Sequence, residues 1–289
     1  MKGGAARKPC GGAVMGELIA GDDGLPAEEV GPWAKEKQEY LCRYVDISRA
    51  VRAKYLPPSG RGGATYIDLF CGPGRSRIRE TGEWIDGSPV AAWKKSVEGG
   101  APFSKVIIAD IDIVRLEAAA ERLSKLGAPV ATIHGAAKDT AIGALQRAAA
   151  YGLNFAFLDP YSIGALDFEL FRTLSRLTRI DILAHISKMD FQRNLPSNIT
   201  EEQNEFENFA PGWREAVNLK QSHQHVRREV FDYWKSQVTE TGIATSKDTK
   251  LITGSRGQHL YWLLLAARHE LAHAFWKTST RSDQGSLEF

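Results

Sequence analysis

The stretch Tyr66-Ile67-Asp68-Leu69-Phe70-Cys71-Gly72-Pro73-Gly74 decides the fold, because a short apolar strand runs directly into a glycine turn. On both sides of it, apolar runs alternate with segments of helical period. Strands are predicted at 65–69, 105–109, 130–133, 154–158 and 181–186, and helices at 33–55, 88–97, 114–126, 140–151, 168–177 and 223–238. Strands that are apolar throughout and alternate with helices predict a parallel sheet covered on both faces.

The end of this pattern narrows the fold class. Two further strand-like runs, 250–253 and 260–266, follow the last long helix and precede a short helix at 271–276. They predict an antiparallel hairpin that closes a mostly parallel, seven-stranded sheet. Such a hairpin is the usual closing feature of methyltransferase folds. The predicted fold class is therefore α/β, a Rossmann-like class I methyltransferase with helices on both faces of the sheet.

Composition divides the chain into one domain between two tails. Residues 1–31 are rich in Gly, Ala and Pro and have no apolar period, which predicts a flexible N-terminal arm. Residues 278–289 are predicted to form a C-terminal tail. The methyltransferase-like domain is predicted over 32–277, with a polar insertion at 187–220 at the ligand edge of the sheet.

Charge and cysteine content set bounds on the class of protein. The apolar fraction of 43% and the charged fraction of 25% are typical of a globular domain, and a net charge of +2 neither demands nor excludes a nucleic-acid partner. Cys10, Cys42 and Cys71 stand far apart, which predicts neither a disulfide framework nor a zinc site and favours a cytoplasmic location. The sequence contains no run that is long and apolar enough to span a bilayer, so no membrane association is expected.

The glycine turn predicts a cofactor site. In a doubly wound sheet the turn after the first strand lies at the carboxyl edge, where ligands bind, and glycines let the backbone approach them. A carboxylate such as Asp68 suits the ammonium of a methionine moiety, whereas a dinucleotide would require a third glycine where Arg77 stands. These features predict S-adenosylmethionine bound by Asp68, Phe70, Gly72 and Gly74. The alternative is a plain structural turn.

Two later strand ends extend the predicted cofactor site. Asp110 ends a buried strand, beside Ile111, and a carboxylate there can accept both ribose hydroxyls of an adenosine. Asp112 is the competing residue, although it is also placed to cap the next helix. After the third strand, Ala136 stands where this fold often has an acidic or amide residue that binds adenine, so either a backbone contact or Asp139 would serve. A helix-capping loop is the alternative there.

The fourth strand ends in Leu158-Asp159-Pro160-Tyr161, which predicts a catalytic site. It resembles the (Asp/Asn)-Pro-Pro-(Tyr/Phe) signature of methyltransferases that act on the amino groups of bases. In that signature the acid and a backbone carbonyl accept hydrogen bonds from the amine, and the aromatic ring stacks on an extruded base. Here one proline is missing and the aromatic residue comes one position early. The alternative is that Asp159 caps the loop and Tyr161 packs.

Basic residues at the same edge are candidates for contact with phosphate. Arg75, Arg77 and Arg79 follow the glycine turn, and Arg193-Asn194 lie in the insertion after the fifth strand. The alternatives are a solvated charged loop and a simple connector. The seven histidines show no metal-ligand spacing, so no metal is expected.

Together these residues resemble the three-Cys-motif partner protein (TcmP) family of bacteria and their phages. The resemblance covers nearly the whole chain between the tails. It includes Gly31-Pro32-Trp33-Ala34, Lys37, Tyr44, Tyr66 to Arg75, Gly82 to Pro89, Ala109 to Asp112, Phe155 to Tyr161, Arg193-Asn194 and Gly257 to His269. It implies a methyltransferase-like domain and a partner, encoded nearby, that bears the three-cysteine motif.

The leading functional hypothesis is an S-adenosylmethionine-dependent methyltransferase whose acceptor is an amino group on a DNA or RNA base. Asp159, Pro160 and Tyr161 would orient the acceptor, while Arg75 or Arg193, with Asn194, would contact phosphate. A second hypothesis is a catalytically silent interaction subunit of the three-Cys-motif partner. A third is a methyltransferase that acts on a protein or a small molecule.

Overall fold

The computed structural model describes residues 16–281, apart from residues 59, 61, 202–203 and 255–256. In this part of the chain the strands are β1 (Leu18–Ala20), β2 (Pro26–Val30), β3 (Ala64–Asp68), β4 (Arg75–Ile78), β5 (Trp84–Asp86), β6 (Lys105–Asp110), β7 (Val130–His134), β8 (Leu153–Leu158), β9 (Ile180–Ser187), β10 (Ala244–Thr253) and β11 (His259–Ala267). The α-helices are α1 (Trp33–Ile47), α2 (Arg49–Ala53), α3 (Ser88–Glu98), α4 (Ile113–Lys125), α5 (Ala137–Arg147), α6 (Phe168–Leu174), α7 (Lys188–Ile199), α8 (Glu205–Phe209), α9 (Trp213–Ala216), α10 (His223–Glu240) and α11 (Glu270–Arg281).

The larger sheet confirms the predicted fold class. Its seven strands follow the order β10-β11-β9-β8-β3-β6-β7. The pairs β8–β9, β3–β8, β3–β6 and β6–β7 are parallel, whereas β11 is antiparallel to both β9 and β10. This is a mostly parallel sheet closed by an antiparallel hairpin, as in Rossmann-like class I methyltransferases. After β3, the chain adds β6 and β7 on one side of this strand and then adds β8 and β9 on its other side. The direction in which strands are added therefore reverses at β3.

Helices cover both faces of this sheet, and this explains why the central strands are apolar at every position. Successive side chains of a strand point to opposite faces. Ile67 of β3 therefore packs in a core with α5, α6 and α10, whereas its neighbour Tyr66 packs in a second core with α1, α3, α4 and α11. Both residues are fully buried. An alternating strand would have left one of these two helical layers without a partner.

A second sheet was not predicted. It has four strands in the order β1-β2-β4-β5, and β2 pairs in parallel with β4 through Glu28 opposite Ser76. The prediction of a flexible arm over 1–31 is therefore wrong for β1 and β2, while residues 1–15 lie outside the described range. The alternative of a solvated charged loop for Arg75, Arg77 and Arg79 does not hold either, because Arg75–Ile78 form β4.

Arg122 joins the N-terminal segment to the main domain. The side chain is only 5% exposed, and its guanidinium donates to both oxygens of Asp23 at 2.7 and 2.6 Å. It also donates to the carbonyls of Pro26 (2.7 Å) and Pro73 (2.5 Å), and its hydrogen bonds lower the pKa of Asp23 to about 2. One buried side chain on α4 thus fixes both the turn before β2 and the glycine turn after β3.

The insertion predicted as polar over 187–220 is helical and contributes to the core. It contains α7, α8 and α9, and its aromatic residues Phe191, Phe206, Phe209 and Trp213 are buried against each other and against α10. Because polar residues separate these aromatics in the sequence, the composition of the segment did not predict a buried core. The C-terminal tail was also placed too early, because α11 continues to Arg281 and residues 282–289 lie outside the described range.

We expect Arg122→Met to reduce the free energy of unfolding by about 2–4 kcal/mol, because it leaves Asp23 and two buried carbonyls without their donor. The matched control on the same helix is Lys125→Met. Lys125 is 60% exposed and pairs only with Glu121, so its loss should change stability by no more than about 0.5 kcal/mol. Urea unfolding measures both, and equal effects of the two changes would contradict the role given to Arg122.

Candidate functional site

A cavity of about 280 Å³ opens at the carboxyl edge of the parallel strands, where the strand order reverses. This is the expected ligand position in an open α/β sheet. Its walls come from the ends of the main strands, from α1 and α4, and from β2 of the second sheet. They include Gly16, Glu28, Trp33, Lys37, Leu69, Phe70, Gly72, Asp110, Ile111, Arg115, Ala136, Ala137, Asp159, Pro160, Tyr161, His185 and Tyr261.

The glycine turn brings backbone to the cavity at Gly72. This residue has φ +55°, and a Cβ built on it would lie 3.3 Å from Glu28 Oε1. Its N–H donates to Asp110 Oδ2 at 2.9 Å, which ties the turn to the end of β6. Gly74, also predicted to bind the cofactor, does not line the cavity. A Cβ there would lie 3.2 Å from Ala119 Cα, so this glycine permits close packing against α4.

Asp110 and Asp112, left as alternatives by the sequence, have different positions. Asp110 lines the cavity, and its two oxygens accept from the N–H groups of Gly72 and Asp112, both at 2.9 Å. Asp112 caps α4 by accepting from Val114 N at 2.8 Å. Burial raises the pKa of Asp110 above its ordinary value. Ile111, Ala136 and Ala137 continue the wall beyond Asp110 and make it largely apolar.

Asp68 lies behind the cavity wall. It is fully buried and accepts from Ser88 Oγ at 2.6 Å, from Tyr66 Oη at 3.1 Å and from Phe70 N at 3.2 Å. Burial raises its pKa to about 7 despite these donors. Ser88 is the first residue of α3, with Gly87 at the N-cap, and its hydroxyl is the one that donates to Asp68. Asp68 therefore supports the turn from below rather than facing the cavity.

Three side chains meet at the other end of the cavity, where β8 and β9 end. Lys37 Nζ on α1 donates to Asp159 Oδ2, and His185 Nδ1 lies 2.6 Å from Asp159 Oδ1 without the alignment of a linear hydrogen bond. The ring of His185 also meets that of Tyr261 edge-on, with centroids 3.9 Å apart. These side chains lie on α1, directly after β8, on β9 and on β11, so the contact is created only by the tertiary fold.

The charge states of this cluster follow from burial and from the neighbouring charges. Burial acts to raise the pKa of Asp159, but the ammonium of Lys37 and the contact with His185 outweigh it and hold the pKa well below its usual range. Burial lowers the pKa of His185, so this ring is neutral at neutral pH. Burial likewise raises the pKa of Tyr261, which keeps the hydroxyl protonated. The cavity therefore presents a carboxylate beside a neutral imidazole.

The other predicted acceptor residues divide into two groups. Pro160 and Tyr161 line the cavity beside Asp159, and Tyr161 is 48% exposed at its rim. Arg75 donates to Asp22 and Asp86 at 2.6–3.0 Å instead of facing the cavity. Arg77 and Arg79 are likewise paired, both with Glu29. Arg193 is exposed on α7, and Asn194 donates to Glu205 at 2.6 Å, so neither lines the cavity.

Several residues at the cavity were missed by the sequence reasoning. Glu28 and Gly16 lie in the segment read as a flexible arm, where no local pattern points to a site. Arg115 donates to Glu28 Oε2 at 2.6 Å and to the carbonyl of Gly16, and only the structure brings these together. His185 was noted only as a histidine without a metal-ligand spacing. Its place near the end of an apolar strand was the available signal.

No helix within the described residues is both long and apolar enough to cross a membrane. No group of three or more His, Cys, Asp or Glu side chains is placed there to hold a metal ion.

Comparison with known proteins gives a likeness of fold. No protein-family model and no curated protein matches the chain. The O-methyltransferase TomG from Streptomyces achromogenes in complex with SAM is 13% identical with a TM-score of 0.45, over 81% of this chain and 80% of that one. An O-methyltransferase from Bacillus cereus in complex with SAH is 11% identical, TM-score 0.45, over 82% of each chain. TYW2 from P. horikoshii in complex with MeSAdo is 10% identical, TM-score 0.42, over 87% and 71%. Likenesses at this level identify neither an activity nor a substrate.

Asp68 should make stability depend on pH. The folded chain keeps its proton up to about pH 7, whereas an unfolded chain releases it near pH ~3.9. The folded state thus binds more protons between these values, so this group removes stability as the pH rises from ~4 to ~7. We expect Asp68→Asn to gain stability relative to the wild type across that window. Urea unfolding at several pH values tests it, with exposed Asp139→Asn as the control. A difference that does not vary with pH would contradict the raised pKa.

Proposed function

We propose that this chain is an S-adenosylmethionine-dependent methyltransferase that methylates an amino group of a nucleic-acid base. One observation carries the proposal. A single cavity is bounded by a glycine turn, by a strand-end carboxylate fixed through two backbone N–H groups, and by an ionised carboxylate beside a neutral imidazole. The first two features suit the cofactor, and the third suits an amine acceptor.

The residues fit an adenosine-containing cofactor. Asp110 already accepts one backbone N–H on each oxygen, and each oxygen keeps capacity for one ribose hydroxyl. Gly72 allows the backbone to approach the ligand, while Ile111 and Ala136 offer apolar surface to a purine. A cavity of about 280 Å³ is close to the lower end of the usual range for small-molecule sites, ~300–1,000 Å³. When bound, the cofactor would supply an electrophilic methyl group on a sulfonium centre.

The acceptor side can position an amine and take its proton. Asp159 is ionised, so it accepts a hydrogen bond from an N–H and holds the nitrogen in place. Methylation leaves the nitrogen positively charged, so it must release a proton. Neutral His185 can accept this proton beside the negative charge of Asp159. Lys37 keeps Asp159 ionised throughout. Half-exposed Tyr161 offers a ring face at the rim, on which an extruded base can stack.

A catalytically silent interaction subunit is the second candidate, and one observation favours it. Both oxygens of Asp159 already have a partner in Lys37 or His185, so an acceptor must share them. The resemblance to the three-Cys-motif partner family implies a protein, encoded nearby, that bears that motif and to which such a subunit would bind. A silent subunit would bind this partner, and would do so equally well with Asp159 intact or replaced.

Cofactor binding is the first test. We expect calorimetric titration with S-adenosylmethionine and S-adenosylhomocysteine to give micromolar-range affinity for the wild type. Asp110→Asn should weaken it at least about tenfold, because the ribose loses a charged acceptor worth roughly 1.5–3 kcal/mol. Glu117→Gln, exposed on α4 and outside the cavity, should leave the affinity unchanged. If neither ligand gives binding heat or thermal stabilisation, the enzyme proposal is refuted and the interaction subunit remains.

Methyl transfer tests the acceptor. With radiolabelled cofactor and pools of DNA and RNA, Asp159→Asn and His185→Gln should each lower transfer by about 10²–10⁴-fold. Both should keep cofactor affinity within about threefold, because the ribose contacts of Asp110 are intact. Cofactor binding and thermal unfolding verify that each variant is folded.

Variants at Tyr161 separate a base from other acceptors. Tyr161→Ala should raise the KM for nucleic acid by about tenfold or more, since stacking on one base is worth roughly 1–3 kcal/mol, whereas Tyr161→Phe should not. Tyr151→Ala, 82% exposed and outside the cavity, is the control. Labelling of a protein or a small molecule in reactions without nucleic acid would point to the third hypothesis instead.

A further inference from the structure

A smaller cavity of about 70 Å³ adjoins the one described above. Five residues line both cavities, namely Glu28, Lys37, Phe70, Gly72 and Asp159. The remaining walls of the smaller one come from α1, from the turn at Gly87 and Ser88, and from β2, β4 and β5. Asp110, Ile111 and Ala136, which suit an adenosine, line only the larger cavity. A ligand that places its adenosine against these residues leaves its other end for the smaller space.

The charges around the smaller cavity leave one carboxylate oxygen free. Lys37 is bonded to Asp159, and Arg115 donates to Glu28 Oε2 at 2.6 Å. Within the described residues no donor contacts Glu28 Oε1, although the side chain is only 25% exposed. Burial raises the pKa of Glu28, as expected for a carboxylate that lacks part of its solvation. Oε1 is therefore available to accept a hydrogen bond from a donor that enters the cavity.

Gly72 keeps this oxygen accessible. A Cβ at this position would stand 3.3 Å from Glu28 Oε1 and would fill the space in front of it. Glycine leaves room there for a small group with hydrogen-bond donors. Asp68, to which the sequence assigned an ammonium, cannot take this role because its carboxylate is enclosed by Tyr66, Ser88 and Phe70. Glu28 therefore lies in front of the turn, whereas Asp68 lies behind it.

We propose that the smaller cavity is a subsite for a primary ammonium group, held by Glu28 Oε1, and that this group is the α-ammonium of the cofactor's methionine moiety. The inference rests on the proposed function and names the residue that recognises the amino-acid end of the cofactor. Glu28 comes from the second sheet, so a segment outside the seven-stranded sheet completes the ligand site.

The test compares two ligands that differ at this end. S-Adenosylhomocysteine carries the ammonium, and 5′-methylthioadenosine lacks the whole amino-acid portion. We expect Glu28→Gln to lower the affinity for S-adenosylhomocysteine at least about tenfold, as measured by calorimetry. The affinity for 5′-methylthioadenosine should change less than about twofold. Glu29→Gln is the matched control, because this neighbour pairs with Arg77 and lines neither cavity. It should leave both affinities unchanged.

Other outcomes overturn the inference or its premise separately. If Glu28→Gln lowers the affinities for both ligands equally, or lowers neither affinity, Glu28 does not recognise the ammonium. A wild-type chain that binds neither ligand would refute the proposed function itself. Since loss of the Glu28 charge removes its buried ion pair with Arg115, Gly72→Ala provides an independent variant if Glu28→Gln does not fold. The methyl group added at position 72 should lower the affinity for S-adenosylhomocysteine more than the affinity for 5′-methylthioadenosine. Equal effects on the two affinities would contradict the subsite.

Discussion

The burial of four carboxylates at one edge of the sheet is the constraint on which the rest of the site depends. Asp68, Asp110, Asp159 and Glu28 lie at or behind one cavity, where the loss of solvent disfavours their charged forms. Each has a different compensation. Hydroxyls and one backbone N–H surround Asp68, two backbone N–H groups hold Asp110, Lys37 neutralises Asp159, and Arg115 covers half of Glu28. The four carboxyls thus differ in pKa, which is raised for Asp68, Asp110 and Glu28 and lowered for Asp159.

These compensations connect distant parts of the chain. Lys37 reaches Asp159 from α1, and Arg115 reaches Glu28 across from α4 to β2. Arg122, two turns further along α4, fixes the turn before β2 and also accounts for the position of the glycine turn. The second sheet is therefore held on the domain mainly by buried arginines rather than by a large apolar core, and the cavity wall that it supplies depends on them.

The predictability of each part from the sequence follows from the kind of interaction that stabilises it. The parallel strands were predictable because burial on both faces makes every position apolar. The position of Asp110 at the cavity was predictable because this residue ends such a strand. β2, with the sequence Pro-Ala-Glu-Glu-Val, has no such pattern, since its pairing with β4 and the anchor at Arg122 are long-range. Glu28 was missed for the same reason. Asp68 was assigned to the ligand because strand-end position does not show on which side of the turn a side chain lies.

In the proposed methyltransferase, the arrangement around Asp159 would also limit which acceptors the site can serve. A group that must lose a proton before it reacts needs a strong base, but Asp159, whose pKa is held low, is a weak one. A neutral amine reacts through its lone pair and sheds its proton only afterwards, when the product is a stronger acid. Neutral His185 is sufficient for that later step, and its protonation creates a close ion pair with Asp159 in a buried place. For the proposed methyltransferase, the weakness of this base would favour an amine over a hydroxyl, which is the acceptor class that the Asp-Pro-Tyr sequence predicts.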